Sequence, residues 1–397
     1  MRLLVFTTLF PRPQAPQHGV FVWERIRWWR SETGGDAVVV APVPWVPRAL
    51  ARGSYADLGD VPAEEEREGV RVLHPRYALL PKVGMSSAPW TMARAGLRAV
   101  RSLLDAGERF DVLDAHYLYP DAVAGARIAE RVGLPLVATA RGTDLSLIPD
   151  YAIPRRWLRW MLGRAGALIC VSEALRQAAL PLCEGRLDPE VIRNGVDLTK
   201  FRRVPRAEAR AALGWETDER LLVSVGHLIE RKGHHHLIAA LPRLALDVRV
   251  KIVGTGPLEA ELRRQAAEAG VADRVDLVGR LDHEALHRAY SAADLAVLLS
   301  SREGLPNVAL ESLACGTPML ATRIWGTPEL INTPAVGRLV DDTSPASIAG
   351  EAEAMLASTW DHEAIRAHVE PYSWIRTAQR MTEVFERVLA ARSTGGA

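Results

Sequence analysis

Short runs that are apolar throughout alternate along the chain with longer stretches in which apolar residues recur every three or four positions. Runs of the first kind suit parallel strands covered on both faces by helices. In the first half they fall at 3–6, 37–41, 70–73, 112–115, 136–139, 167–171 and 191–193, with helical periodicity at 20–30, 93–104 and 122–131. A polar stretch at 197–207, containing Pro205, reads as a linker. The pattern then restarts, with strands predicted at 221–225, 248–253, 275–278, 295–299 and 319–321. Helices are predicted between them at 237–244, 258–269, 286–292 and 308–314. The repeated strand–helix order predicts two doubly wound α/β domains, one over 1–200 and one over 205–371. The last stretch, 374–391, is amphipathic, with Ile375, Ala378, Met381, Val384, Phe385 and Val388 at helical spacing.

The length of 397 residues fits two or three domains of about 150 residues each. Lys and Arg number 49 against 48 Asp and Glu, which argues against a basic nucleic-acid-coating protein and against an acidic disordered segment. Cys170, Cys183 and Cys315 are too few for a disulfide scaffold and read as buried thiols, in keeping with a cytoplasmic protein. The opening apolar run ends before Pro11 and Pro13, too short for a signal peptide, and no stretch approaches the ~20 apolar residues of a membrane helix.

The candidate chemistry concentrates where predicted strands end. After the strand at 295–299 come Glu303, Gly304, Leu305, Pro306 and Asn307, and then a predicted helix carrying Glu311. Ligands bind at the carboxyl ends of strands in open α/β sheets. Pro306 and Asn307 look like a helix start, with Asn307 as N-cap, and a helix N-terminus suits phosphate. Glu303 and Glu311 are placed to accept hydrogen bonds from the hydroxyls of a sugar and a ribose; a solvated Glu and an ordinary helix Glu are the plainer alternative. His227, Arg231, Lys232 and Gly233 follow the strand at 221–225, and Gly254 and Gly256 follow that at 248–253. A lone loop Lys is ordinarily a solvated charge; a buried strand before it and a Gly after it favour a functional one. The run His234, His235 and His236 has the wrong spacing for a metal site on one helix face.

These segments resemble the Glu-x7-Glu motif and its neighbours in the retaining glycosyltransferases of family four, the glycosyl transferases group 1. The likeness continues through Gly316 and Pro318 and through 324–331, where Trp325 stands in place of the first of two usual glycines. It extends over nearly the whole chain. The resemblance implies the GT-B fold, two Rossmann-like domains facing across a cleft, with the helix at 372–392 crossing back to complete the N-terminal domain. It implies that Lys232 holds the donor diphosphate, that His227 stands where an Arg is usual, and that Arg231 assists. It places Glu303 on the donor sugar and Glu311 on the ribose, with Gly19, Gly254, Gly256 and Arg280 near the nucleotide. His116, after the strand at 112–115, is implied to lie close to the transferring sugar. Arg141 is assigned to a substrate phosphate and Asp144 either to the acceptor or to a structural role.

The expected activity is metal-independent transfer of a sugar from a nucleoside-diphosphate sugar, with UDP or GDP as carrier, to a glycan or lipid-linked acceptor in envelope or exopolysaccharide synthesis. No cofactor beyond the donor and no nucleic-acid partner is expected. A nucleotide-sugar epimerase on the same fold and a non-catalytic nucleotide-sugar-binding protein are the alternatives. Two Trp- and Arg-rich stretches, 23–30 and 154–162, suit either packing against their own sheet or contact with a membrane surface. The first domain is therefore also a candidate for peripheral contact with the inner face of the cell membrane.

Overall fold

The computed structural model describes residues 1–46, 58–79, 84–215, 218–245 and 247–395. The chain divides into two compact units, Met1–Asn194 with Trp374–Ala397, and Gly195–Ser373. Among the described residues no helix is long and apolar enough to cross a membrane.

The first unit is built on β1 (Arg2–Phe6), β2 (Asp36–Val40), β3 (Val43–Trp45), β4 (Glu64–Arg67), β5 (Val70–Leu73), β6 (Arg76–Ala78), β7 (Val112–His116), β8 (Leu136–Ala140), β9 (Ala167–Cys170) and β10 (Glu190–Val191). Eight of these form one sheet in the order β10-β9-β8-β7-β1-β2-β5-β4, while β3 and β6 pair separately. All neighbours in the large sheet are parallel except β4 and β5. These two form a hairpin whose two-residue turn, Glu68 and Gly69, has φ of 48° and 76°. Positive φ at both positions gives the turn that matches strand twist. The charged sequence of β4, with alternate residues exposed, closes that edge of the sheet against further pairing.

The final helix, Trp374–Gly395, belongs to this first unit and packs along the helix Val20–Thr33. Its Met381, Val384, Phe385 and Val388 join Val22, Ile26 and Trp29 in one core with β1, β2 and β8. Trp29 meets Phe385 edge-on at 6.1 Å, and its Nε1 donates to Thr382 Oγ1 at 3.1 Å. The Trp-rich stretch at 23–30 is thus mostly core, with Trp23 and Trp29 fully buried.

The second unit holds β11 (Arg220–Val225), β12 (Val248–Val253), β13 (Val275–Gly279), β14 (Leu295–Leu298), β15 (Met319–Thr322) and β16 (Gly337–Val340). They pair all-parallel in the order β13-β12-β11-β14-β15-β16. This is the dinucleotide-fold order, and the order reverses between β11 and β14. In the first unit it reverses between β1 and β7. In such sheets ligands lodge beyond the carboxyl ends of the strands at these reversals.

Two of the elements expected between residues 190 and 210 differ from the structure. The strand expected at 191–193 is only the two-residue β10. The expected linker does not reach 207, because a helix starts at Arg206 with Pro205 at its N-cap position. Its polarity hid it: only Ala209 and Arg210 are buried, and Arg210 is held there by Asp294 at 3.1 Å.

Candidate active site

In the second unit the loops after β11 and β14 meet at the reversal. After β11 a short turn, Glu230–Lys232, ends at Gly233, whose φ is 72°, and the helix His234–Ala240 begins. A Cβ on Gly233 would stand 2.0 Å from the Leu299 carbonyl oxygen, so the two loops touch backbone to backbone. That contact puts Lys232 against Glu303: Nζ donates to Oε1 at 2.6 Å. The same oxygen accepts from Ser300 Oγ at 2.7 Å. Arg231 donates to the Arg302 carbonyl at 2.9 Å, and the Ser301 amide donates to the Arg231 carbonyl at 2.9 Å. The cationic loop after β11 and the Glu303 loop after β14 are therefore stitched by main chain as well as by charge. Lys232 and Glu303 retain only 15% and 9% of their side-chain exposure, which shields their attraction from solvent.

The helix Asn307–Ala314 starts at once after Gly304, Leu305 and Pro306, all three buried. Asn307 is the first helical residue; the cap position belongs to Pro306, and no side chain caps this end. This corrects the expectation of an Asn307 cap. It leaves the helix N-terminus without an internal anion at the place where the chain leaves β14. One turn on, Glu311 accepts from Tyr290 OH at 3.1 Å, and burial pushes its carboxyl up to about 7.

The glycines Gly254 and Gly256 are explained by the protein's own backbone. A Cβ on Gly254 would stand 1.9 Å from the Gly226 carbonyl oxygen, and one on Gly256 would stand 2.5 Å from that of Leu228. The loops after β11 and β12 are stacked through the Gly226 amide to the Val253 carbonyl and the Leu228 amide to the Thr255 carbonyl, both 3.0 Å. His227 and Arg280 are exposed on this edge. His234 is buried instead, its Nδ1 2.9 Å from Ser224 Oγ, and burial with Lys232 nearby lowers its pKa to about 4. Trp325 has φ 43°, the left-handed conformation that glycine adopts without strain, which accounts for a glycine at this place in the resembling family.

In the first unit the reversal between β1 and β7 is lined by a buried charged cluster. The His116 ring has no exposed surface. Its Nε2 lies 3.1 Å from Asp114 Oδ2, and its Nδ1 accepts from Arg141 Nη2 at 2.8 Å. Burial drives its pKa down to about 4, so the ring is neutral, with its proton on Nε2. His116, expected beside the transferring sugar, thus has both nitrogens turned to protein groups. Arg141 also donates to Asn194 Oδ1 at 2.8 Å and lies against the Phe21 ring at 5.1 Å.

The Asp144 side chain is bound to main chain. Its carboxylate accepts from the amides of Leu118 at 2.9 Å, Gly142 at 2.6 Å and Arg141 at 3.0 Å, and so fixes the loop that carries Arg141. Asp121 does the same across the reversal, accepting from the Thr8 amide at 2.5 Å and Thr8 Oγ1 at 2.9 Å. Gly19 is also required by protein: with φ 66°, it would drive a Cβ to 2.1 Å from the Leu9 carbonyl carbon.

Sequence reasoning missed Arg25, whose three side-chain nitrogens are buried without a hydrogen-bond partner, within electrostatic reach of Asp114. Burial lowers Arg25 to about 10, and Asp114 opposes this. The available signal was an Arg on the same helical stripe as Val22, Ile26 and Trp29. Tyr290 was also missed, since nothing in its local spacing marks it.

Residues 205–373 match the family described as Glycosyl transferases group 1, and residues 55–200 match Glycosyltransferase Family 4. The putative teichuronic acid biosynthesis glycosyltransferase TuaC of Bacillus subtilis (strain 168) is 27% identical, over 83% of this chain and 83% of its own. D-inositol 3-phosphate glycosyltransferase of Thermobispora bispora is 30% identical, over 83% of this chain and 82% of its own. Among solved structures, sucrose-phosphate synthase from Thermosynechococcus elongatus superposes with a TM-score of 0.77 at 20% identity, covering 98% of this chain and 99% of that one. Anabaena HepE in complex with UDP and glucose gives 0.73 at 19% identity, covering 97% and 99%.

Proposed function

The chain belongs to the group 1 glycosyltransferases of family 4, which makes it a hexosyltransferase, and from that premise we propose a retaining, metal-independent transfer from a nucleoside-diphosphate sugar to a glycan or lipid-linked acceptor. The observation that carries the donor assignment is the Lys232–Glu303 pair at the reversal between β11 and β14. An ammonium has three donors, of which Glu303 takes one. The others face the departing diphosphate and offset the charge that grows on it in an oxocarbenium-like transition state. The uncapped N-terminus of the helix Asn307–Ala314 adds its amide groups to the same anion.

Glu303, clamped by Ser300 and Lys232, orients the sugar hydroxyls with its second oxygen. Glu311 accepts from the ribose diol. Departure and attack on one face of the sugar need no enzyme nucleophile, and none is assigned. Arg141, aimed by His116 and Asn194, is assigned to the acceptor, and His116 acts through it. The relatives, a putative glycosyltransferase of teichuronic acid biosynthesis and a D-inositol 3-phosphate glycosyltransferase, support a polyol or glycan acceptor. HepE was solved with UDP, which makes a uridine carrier the first to test.

The test is a thermal-shift series with UDP, GDP and ADP in EDTA, followed by transfer from the matching nucleotide sugar with NMR readout of the product anomer. One diphosphate should stabilise the protein, Lys232→Ala should abolish that shift, and the product should keep the donor's anomeric configuration. An inverted anomer, or stabilisation that requires a divalent cation, would refute the corresponding part. Isomerised nucleotide sugar formed without acceptor would establish the epimerase reading instead.

A further inference from the structure

We propose that the first unit docks on an anionic lipid bilayer through the face formed by the helices Gly84–Asp105 and Ala152–Leu162. The two Trp- and Arg-rich stretches part company here. The tryptophans of the first are largely core, whereas Trp157 and Trp160 of the second are only partly buried and meet Trp90, which is 47% exposed. Trp90 and Trp157 stand edge-to-face at 5.3 Å, and Trp157 and Trp160 at 5.7 Å.

The Arg127 guanidinium sits among all three rings, 3.2 Å from the centroid of Trp90, 5.1 Å from that of Trp157 and 5.0 Å from that of Trp160. Its Nε is buried and makes no hydrogen bond. The cation therefore acts on ring faces and holds the indoles in place before any partner arrives.

Charge on the same helices decides the partner. Arg94 lies one turn from Trp90, and Arg155 and Arg156 flank Ile153, which is 53% exposed. These three arginines have no carboxylate partner among the described residues, whereas Arg159 and Arg164 nearby are matched by Glu184 and Glu130. Indoles with an apolar body and a polar N–H, rimmed by unneutralised guanidinium groups, fit the headgroup layer of a bilayer bearing phosphate anions. The face shares no residue with either reversal, so this inference stands apart from the assignment of the reaction.

The experiment is co-sedimentation of the full chain with vesicles of phosphatidylcholine alone and of phosphatidylcholine with one-third phosphatidylglycerol, at low and high salt. The chain should bind the anionic vesicles, and salt should weaken that binding. At about 1 kcal/mol per cation near the surface, Arg155→Gln/Arg156→Gln should weaken it roughly 30-fold. Trp90→Ala, which removes about half a tryptophan's surface from the contact, should weaken it on the order of 30- to 100-fold. The arginine pair is exposed, so its loss does not threaten folding. No binding to anionic vesicles, equal binding to neutral ones, or unchanged binding of the double-glutamine variant would each overturn the proposal.

Discussion

Replacing Gly233 with alanine probes the contact that brings Lys232 to Glu303. Two penalties act there. The residue has φ 72°, where an L side chain is strained by ~1–2 kcal/mol. The added Cβ would also stand 2.0 Å from the Leu299 carbonyl oxygen, a backbone atom that cannot rotate aside. Relieving that overlap forces the β14 loop outward by about 1 Å, comparable to overpacking a core, at ~1–3 kcal/mol. Gly214 supplies the control. Its φ is 63° and nothing lies within 4 Å of its Cβ position, so Gly214→Ala carries the backbone term alone. Both glycines belong to the second unit, so the same transition reports on both. At about 2–4 °C per kcal/mol for a unit of this size, Gly233→Ala should melt roughly 2–12 °C below Gly214→Ala. It should also lose transfer activity, because the displaced segment continues into Ser300 and Glu303. Coincident melting curves for the two variants, or full turnover by Gly233→Ala, would refute the reasoning.

Lys232→Ala should lower turnover by ~10²–10³, the usual effect of removing one transition-state charge partner, and Glu303→Ala should abolish transfer with the melt retained; steady-state kinetics and calorimetry check both. Burial raises the Glu311 carboxyl from 4.5 to about 7, so its ionised form is disfavoured in the ligand-free fold. Stability from this group is present at low pH and lost as pH rises through 7, whereas acceptance from a ribose diol needs the ionised form. Diphosphate affinity should therefore rise about tenfold between pH 6 and pH 8, measured by titration calorimetry, with Glu311→Gln removing that part of the pH dependence. Arg25→Met takes from the buried Asp114 one of the cations that act on it, so it should cost less stability in an Asp114→Asn background than in the parent chain; denaturation midpoints of the four-variant cycle decide this.

The core strands were legible because burial on both faces leaves no room for polar residues: β12 was read from the sequence with its observed ends, Val248 and Val253. Strand β4 was not, since an edge strand with alternate exposed positions reads Glu-Glu-Glu-Arg and carries no apolar run. Lys232 and Glu303 stood out because each follows a buried strand and sits beside glycine. What their neighbours do was hidden. The Ser300 hydroxyl could be seen beside Glu303, but Tyr290 reaches Glu311 from another helix, and Arg25 acts through its charge on Asp114, 89 positions away in the chain. Contacts of that kind leave no periodic trace. The glycines show the opposite failing: Gly19, Gly254 and Gly256 were noticed for their permissive backbone, and the structure traces that need to neighbouring main chain at 2.1, 1.9 and 2.5 Å.

The first unit closes its core with a helix encoded after the whole of the second unit. On a ribosome the first 194 residues emerge well before residue 374, and at about 5–20 residues per second the intervening 179 take roughly 10–35 s to synthesise. Over that interval the apolar surfaces of Val22, Ile26 and Trp29 wait without Phe385 and Val388. The second unit, a single continuous segment, can complete its fold first, although it begins later in the message. The exposed stripe is then surface of the kind chaperones cover, and a nascent chain that stalls before Trp374 leaves it open.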